Sequence, residues 1–263
     1  MSAGTDMSAK DADTTLDNAA HGGCPATTCY ASSCGRVTLY LGDCLPLLAT
    51  VKADAIISDP PYGIAHKSGG GIGGKWHKVK HQGVTIEGDS EPFDPSPLLR
   101  TGLPFVLWGA NFFSEKLPGS GWLVWDKRPG IEDMKFNRSD AELAALSGSK
   151  TVKTFHHLWH GICRDTEVGE HLHPTQKPVA LMAWCMEQAK VPAGAVVFDP
   201  YMGSGTTGIA CIRTGRRFVG IEKDPIHYAT ALARITNELA QGDLFLGHNA
   251  KLRDAGERGV EQH

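Results

Sequence analysis

The stretch Val196–Gly208 reads VVFDPYMGSGTTG, and its order of residue types decides the fold. An apolar run ends on Asp199-Pro200, and Gly203, Gly205 and Gly208 then follow in the pattern G-x-G-x-x-G. The residues after it, through GTTGIACIRTG, have the composition of a helix. Strand, glycine loop and helix in that order form an α/β unit in which the loop lets the backbone approach a ligand closely. A near-echo stands far upstream at Ala53–Gly63, ADAIISDPPYG. Two buried strands that both end on Asp-Pro imply one site built from two strand ends.

Working outward, Arg36–Asp43 (RVTLYLGD), LPFVLWG, GWLVWDK, TFHHLWHGIC and RRFVGIE read as strands. The stretches DCLPLLATV, ANFFSEKL and SDAELAAL read as short helices, KPVALMAWCMEQAK as an amphipathic helix, and PIHYATALARITNELA as a long one. Strands alternating with helices predict an α/β fold with an open, mostly parallel, doubly wound sheet. Ligands bind such sheets beyond the carboxyl ends of the strands. Asp43, Asp59, Asp199 and Glu222 all fall there.

With 263 residues, 41% of them hydrophobic, the chain can bury one large core. Residues 1–34 read as a flexible leader, 35–250 as the main domain, and 251–263 as a polar tail. No apolar stretch suits a signal peptide or a membrane span, so a soluble, cytoplasmic protein is expected. The net charge of −3 does not announce a nucleic-acid binder, so any such role rests on local basic clusters. The seven cysteines do not suggest a disulfide framework. Cys24, Cys29 and Cys34 recur every five residues beside His21, a spacing unlike the CxxC pairs that chelate zinc from one turn. His156, His157 and His160 are explained by strand alternation, and no metal is expected.

Glu222 follows Gly203 by nineteen residues, near the spacing at which an acid meets a ribose hydroxyl. The motif alone leaves the nucleotide open. Asp199 just before the loop would repel a pyrophosphate, which favours S-adenosylmethionine, a cation without phosphate, over NAD. Asp59-Pro60-Pro61-Tyr62 suits a different task. An exocyclic amino group is a poor nucleophile because its lone pair is delocalised into the ring. A carboxylate and a rigidly aimed Pro60 carbonyl would hold its hydrogens, and Tyr62 offers a ring on which an extruded base can stack.

With these motifs in place, the chain resembles the DNA amino-methyltransferases that modify adenine N6 or cytosine N4. The matching segments are LGDCLPLL, SDPPYG, HPTQKP, FDPYMGSGTT and GIEKDP, spread over about Val37 to Leu239. Their order, with DPPY ahead of the glycine loop, resembles the permuted β class, so the fold implied is a circularly permuted Rossmann-like methyltransferase fold. The usual first strand is AVVFDP and the usual third RVTLYLGD. The resemblance implies S-adenosylmethionine as cofactor and Asp59, Pro60, Pro61 and Tyr62 as the catalytic motif. It implies that Asp199, Tyr201, Gly203, Ser204, Gly205 and Thr206 line the methionine side of the cofactor. Glu222 would bind the ribose, Asp43 the adenine, and Thr175, Gln176 and Lys177 would complete the site. Tyr201 departs from the family, which usually has Phe there. DPPY rather than SPPY is the form associated with adenine.

A double-stranded DNA partner is expected through Ile64–Ile86, a glycine-rich basic loop carrying Lys67, Lys75, Lys78 and Lys80. Arg128, Lys135 and Arg138 lie in a small target-recognition region, 128–172. That region is short, and the β class often forms homodimers, so a homodimer is expected. Cytosine-N4 methylation, RNA adenine methylation, an NAD-dependent dehydrogenase and a non-catalytic DNA-binding module are the rival readings. The dehydrogenase leaves DPPY and HPTQKP without roles.

Overall fold

The structure is a computed structural model that describes residues 15–16, 28–63, 91–131, 139–160, 163–167 and 176–258, with backbone alone beyond Gln241. The N-terminal strands are β1 (Thr15–Leu16), β2 (Thr28–Ala31), β3 (Val37–Leu41) and β4 (Ala55–Ser58). After helix α1 (Ser96–Leu99) come β5 (Phe105–Trp108), β6 (Gly121–Asp126), β7 (Ala141–Leu146) and β8 (Val152–His156). A small hairpin, β9 (Trp159–His160) and β10 (Cys163–Arg164), precedes α2 (Val179–Gln188). Then follow β11 (Val196–Asp199), α3 (Thr206–Arg213), β12 (Arg217–Glu222) and α4 (Pro225–Arg258).

Ten strands form one sheet in the order β1-β2-β3-β12-β11-β4-β5-β7-β6-β8. The five central strands, β3 to β5, are mutually parallel, so their carboxyl ends share one edge. The sheet is therefore the open, mostly parallel one expected, and its order carries the permutation: the two central strands β11 and β12 come from the last third of the chain. Side chains alternate between two cores. Ala55, Ile57, Val106, Trp108 and Val197 pack with Met182, Cys185, Ile209 and Ile235 of α2, α3 and α4. Ile56, Phe105, Leu107 and Phe198 face the other way, covered by Leu98 of α1 and by Leu47 and Ala110 of 3-10 turns. No described helix is long and apolar enough to cross a membrane.

Several expectations are corrected. SDAELAAL, expected as a helix, supplies β7, an antiparallel strand inserted between β5 and β6. Its helix-forming residues are overridden by pairing: Trp108 lies opposite Ala144, and Trp122 opposite Ala145, so small side chains make room for indoles. Within 128–172, β7 and β8 belong to the sheet. DCLPLLATV and ANFFSEKL form only 3-10 turns. The leader ends earlier than residue 34, since β2 pairs with β3 and buries Cys29 opposite Tyr40. At the other end, α4 runs to Arg258, into the stretch expected as a tail.

Gly208 shows how closely α3 lies on the sheet. A Cβ there would stand 2.7 Å from Ile235 Cδ1 and 2.8 Å from the buried Phe218 ring. Gly208→Ala is expected to lower stability by about 1–2 kcal/mol despite alanine's better helix propensity. A lowered urea midpoint at unchanged slope is the check.

Candidate active site

Residues Ser58 and Asp199 end the neighbouring strands β4 and β11, and a 2.6 Å hydrogen bond from Ser58 Oγ to Asp199 Oδ1 ties the two ends together. Asp199 Oδ2 accepts from Thr207 Oγ1 at 2.6 Å, and Oδ1 also accepts from the Tyr201 backbone N–H at 3.1 Å. Both Ser58 and Asp199 are buried. Burial pushes the Asp199 carboxyl up to about 6 against these three donors. Asp199, expected as a cofactor ligand, is thus turned inward and shapes the loop that follows it.

That loop needs its glycines. Gly203 and Gly205 have φ of 52° and 79°, left-handed values that strain any side chain. The Gly203 N–H donates to Glu222 Oε2 at 2.9 Å, while Glu222 Oε1 receives the N–H groups of Lys223 and Asp224, each at 2.9 Å. Burial raises the Glu222 carboxyl above its ordinary range. Arg234 of α4 braces the loop from behind, donating to the Ser204 carbonyl at 2.7 Å and to its hydroxyl at 3.1 Å. The Asp43 carboxylate is exposed and accepts the Leu45 N–H at 2.9 Å. Tyr201, where a Phe is usual in the family, lays its ring edge against Phe93 at 5.7 Å and pairs its hydroxyl with the Cys44 thiol.

Beside the loop, the Asp59 carboxylate accepts from Tyr62 OH at 2.5 Å and from Lys177 Nζ at 2.6 Å. Lys177 also reaches Glu142 Oε2 at 3.1 Å, and Lys127 Nζ donates to Glu142 Oε1 at 2.8 Å. Burial raises Asp59 above the usual carboxylate range, with Lys177 pulling the other way. Burial opposes charge on Lys177, yet Asp59 and Glu142 together hold it well above its ordinary value. For Glu142 the lysines win over burial and hold it at about 2. The Tyr62 ring lies against Gly109, whose left-handed backbone (φ 70°) leaves no room for a Cβ, and stacks on the half-exposed Phe112 at 5.2 Å.

The structure therefore brings Asp59, Pro60, Pro61 and Tyr62 to one side of the Ser58–Asp199 bond. Tyr201, Gly203, Ser204, Gly205, Thr206 and Glu222 stand on the other. Gln176 and Lys177 enter from the start of α2, and Gln176 accepts the Trp159 indole N–H on its carbonyl at 3.1 Å. Lys177, expected beside the cofactor, is placed on the catalytic motif instead. Arg128, expected to contact DNA, is buried, bonded to Asp140 and, at 3.1 Å, to the Ile131 carbonyl. Thr175, Lys67, Lys75, Lys78, Lys80, Lys135 and Arg138 lie outside the described residues. His156 and His157 pair with Asp126 and Thr166, and no group of His, Cys, Asp or Glu that would suit a metal occurs among the described residues. Sequence reasoning missed Ser58, Thr207, Lys127, Glu142 and Phe112. Ser58 was visible in SDPPY as a small polar residue at the end of a buried strand, whereas the helical reading of SDAELAAL hid Glu142.

Two strand ends, a glycine loop and an acid on the next strand define a Rossmann-like α/β fold with a nucleotide-type site. The family profile described as DNA methylase, of the N6/N4 methyltransferase type, matches residues 105–233. Over those residues the chain is similar to this family. It is 36% identical over 168 residues to the type II methyltransferase M2.DpnII of Streptococcus pneumoniae, covering 64% of this chain and 60% of the relative. The chain thus spans well under two thirds of that relative's length. It is 26% identical over 233 residues to YubD of Escherichia coli strain K12, named as a methylase, covering 76% of this chain and 92% of YubD. The solved structure of the PvuII DNA methyltransferase, described as cytosine-N4-specific, superposes with a TM-score of 0.51 at 15% identity. That match covers 80% of this chain and 92% of the PvuII chain, and supports the fold.

Because folding raises Asp199 from 3.8 to about 6, its protonation favours the folded state. That contribution is full below about 3.8 and is lost as pH rises through about 6. Relative to Asp199→Asn, the wild-type protein is expected to lose about 2–3 kcal/mol of unfolding free energy between pH 4 and 7. Urea unfolding of both proteins across that range is the check.

Proposed function

We propose that the protein transfers a methyl group from S-adenosylmethionine to adenine N6 in double-stranded DNA, acting on a base turned out of the duplex. The observation that carries this reading is the half-buried Asp59–Tyr62 pair at 2.5 Å, joined through Ser58 and Asp199 to the glycine loop. The match to the DNA methylase profile supports the reaction class, and DPPY supports adenine.

The donor set fits the cofactor. The left-handed backbone at Gly203 and Gly205 permits close approach, and the Glu222 and Asp43 carboxylates keep lone pairs for ribose hydroxyls and an adenine amino group. An edge carrying Asp43, Asp59 and Glu222 suits a cation and repels a pyrophosphate. S-adenosylmethionine, when bound, supplies a methyl group made electrophilic by its sulfonium. Asp59 accepts the hydrogens of the base amino group together with the Pro60 carbonyl, which returns the nitrogen lone pair to reactivity. Tyr62 and Phe112 form an aromatic platform for the base. The phenol of Tyr62 stays protonated, because burial and the Asp59 charge raise it well above its ordinary value, so it acts as a donor.

DNA binding rests on Lys67, Lys75, Lys78 and Lys80, which adjoin DPPY in sequence and would neutralise phosphates next to the extruded base. A homodimer would add recognition surface to the short region 128–172, whose strands β7 and β8 pair within the sheet. Such an enzyme works in the cytoplasm, on the nucleoid.

Incubation of duplex DNA with protein and S-adenosylmethionine is expected to yield N6-methyladenine by nucleoside mass spectrometry. Asp59→Ala should reduce the yield at least about 100-fold while calorimetry still shows cofactor binding. N4-methylcytosine would overturn the base assignment, and NAD binding without methylation would sink the reading. Light scattering is expected to give twice the chain mass; a fully active monomer rules out the dimer.

A further inference from the structure

We infer that Lys177 and Glu142 are a positioning pair for Asp59: the lysine fixes the carboxylate by its Oδ2, and the glutamate sets how much of the lysine's charge Asp59 feels. This rests on the methyltransferase reading above. An ammonium has three N–H donors. Lys177 has three oxygens within reach: Asp59 Oδ2 at 2.6 Å, Glu142 Oε2 at 3.1 Å and Tyr62 OH at 3.2 Å. Its two hydrogen bonds and its ion pair to Glu142 all lie within this cluster, and its side chain is only 6% exposed.

From Asp59 outward the charges alternate: carboxylate, ammonium, carboxylate, ammonium. Lys127 closes the chain at 2.8 Å from Glu142 and 5.8 Å above the Trp125 ring. Each buried ion is neutralised by a neighbour, as burial requires. The groups acting on Asp59 are Tyr62 on its own segment, Lys177 before α2 and Glu142 on β7, with Asp199 coupled to it from β11. Removing Lys177 leaves Asp59 buried near a like charge. Removing Glu142 leaves the lysine to Asp59 alone. The two changes should therefore move Asp59 in opposite directions, which a merely structural role would not do.

The test is a 13C NMR titration of the Asp59 carboxyl carbon, assigned with Asp59→Asn, in wild type, Lys177→Met, Lys177→Arg and Glu142→Gln. The acid limb of kcat on DNA is recorded alongside. The Asp59 midpoint is expected to rise in Lys177→Met, fall in Glu142→Gln and return toward wild type in Lys177→Arg, with the acid limb following. At neutral pH kcat falls at least about tenfold in Lys177→Met, while the Kd for S-adenosylmethionine changes less than about twofold. Midpoints that move the same way in both variants overturn the pair. So does an unmoved Asp59 with weakened cofactor binding, which makes Lys177 a cofactor ligand. The titration needs no turnover, so an inactive wild type would fail the methyltransferase reading while the midpoints still judge the pair.

Discussion

A single buried hydrogen bond, from the Ser58 hydroxyl to the Asp199 carboxylate, fixes how the two halves of the site face each other. Strands β4 and β11 are neighbours with Val197 opposite Ala55 and Phe198 opposite Ile56. A slip of one residue would turn Ser58 to the other face of the sheet and take one of its three donors from the buried carboxylate. The same carboxylate takes the Thr207 hydroxyl from the first turn of α3. Strand register, loop shape and helix start are thus set by one group, and the spacing between Asp59 and the glycine loop follows from it.

Three acids at this edge meet the problem of burial in three ways. Asp199 is satisfied by two hydroxyls and an N–H, neutral donors that leave its carboxyl easy to protonate. Glu222 is satisfied by three backbone N–H groups, which lock the loop to the end of β12. Asp59 is satisfied by a phenol and an ammonium, both borne by side chains. The chemistry of the donors therefore separates Asp199 and Glu222, which are tied to backbone N–H groups, from Asp59.

Much of the sheet was legible because β4, β5 and β11 are buried on both faces and read as short apolar runs. AIIS, FVLW and VVFD carry that signal directly. The strand β7 was not legible: AELAAL has helical composition, and only its place between two tryptophan-bearing strands makes it extended. That error propagated, since it concealed Glu142. The strand-end acids Asp59, Asp199 and Glu222 were legible along the edge, but their partners were not. Which acid faces inward, and which atom Lys177 reaches, depends on contacts between residues 118 or 141 positions apart that no local pattern encodes.

The order of strands has a consequence for how the protein comes into being on the ribosome. Val37–Leu41 pairs in parallel with Phe218–Glu222, so the first sheet strand with a parallel partner waits some 180 residues for it. Between them, β11 is also made late, and until it emerges β4 lacks one of its two neighbours. The middle of the sheet is thus the last part synthesised, and the early strands are left with unpaired edges. Such long-range pairing slows folding and delays closure of the sheet until nearly all of the chain is available. Asp59 is translated early, but the Ser58–Asp199 hydrogen bond that ties its strand to the glycine loop is made among the last.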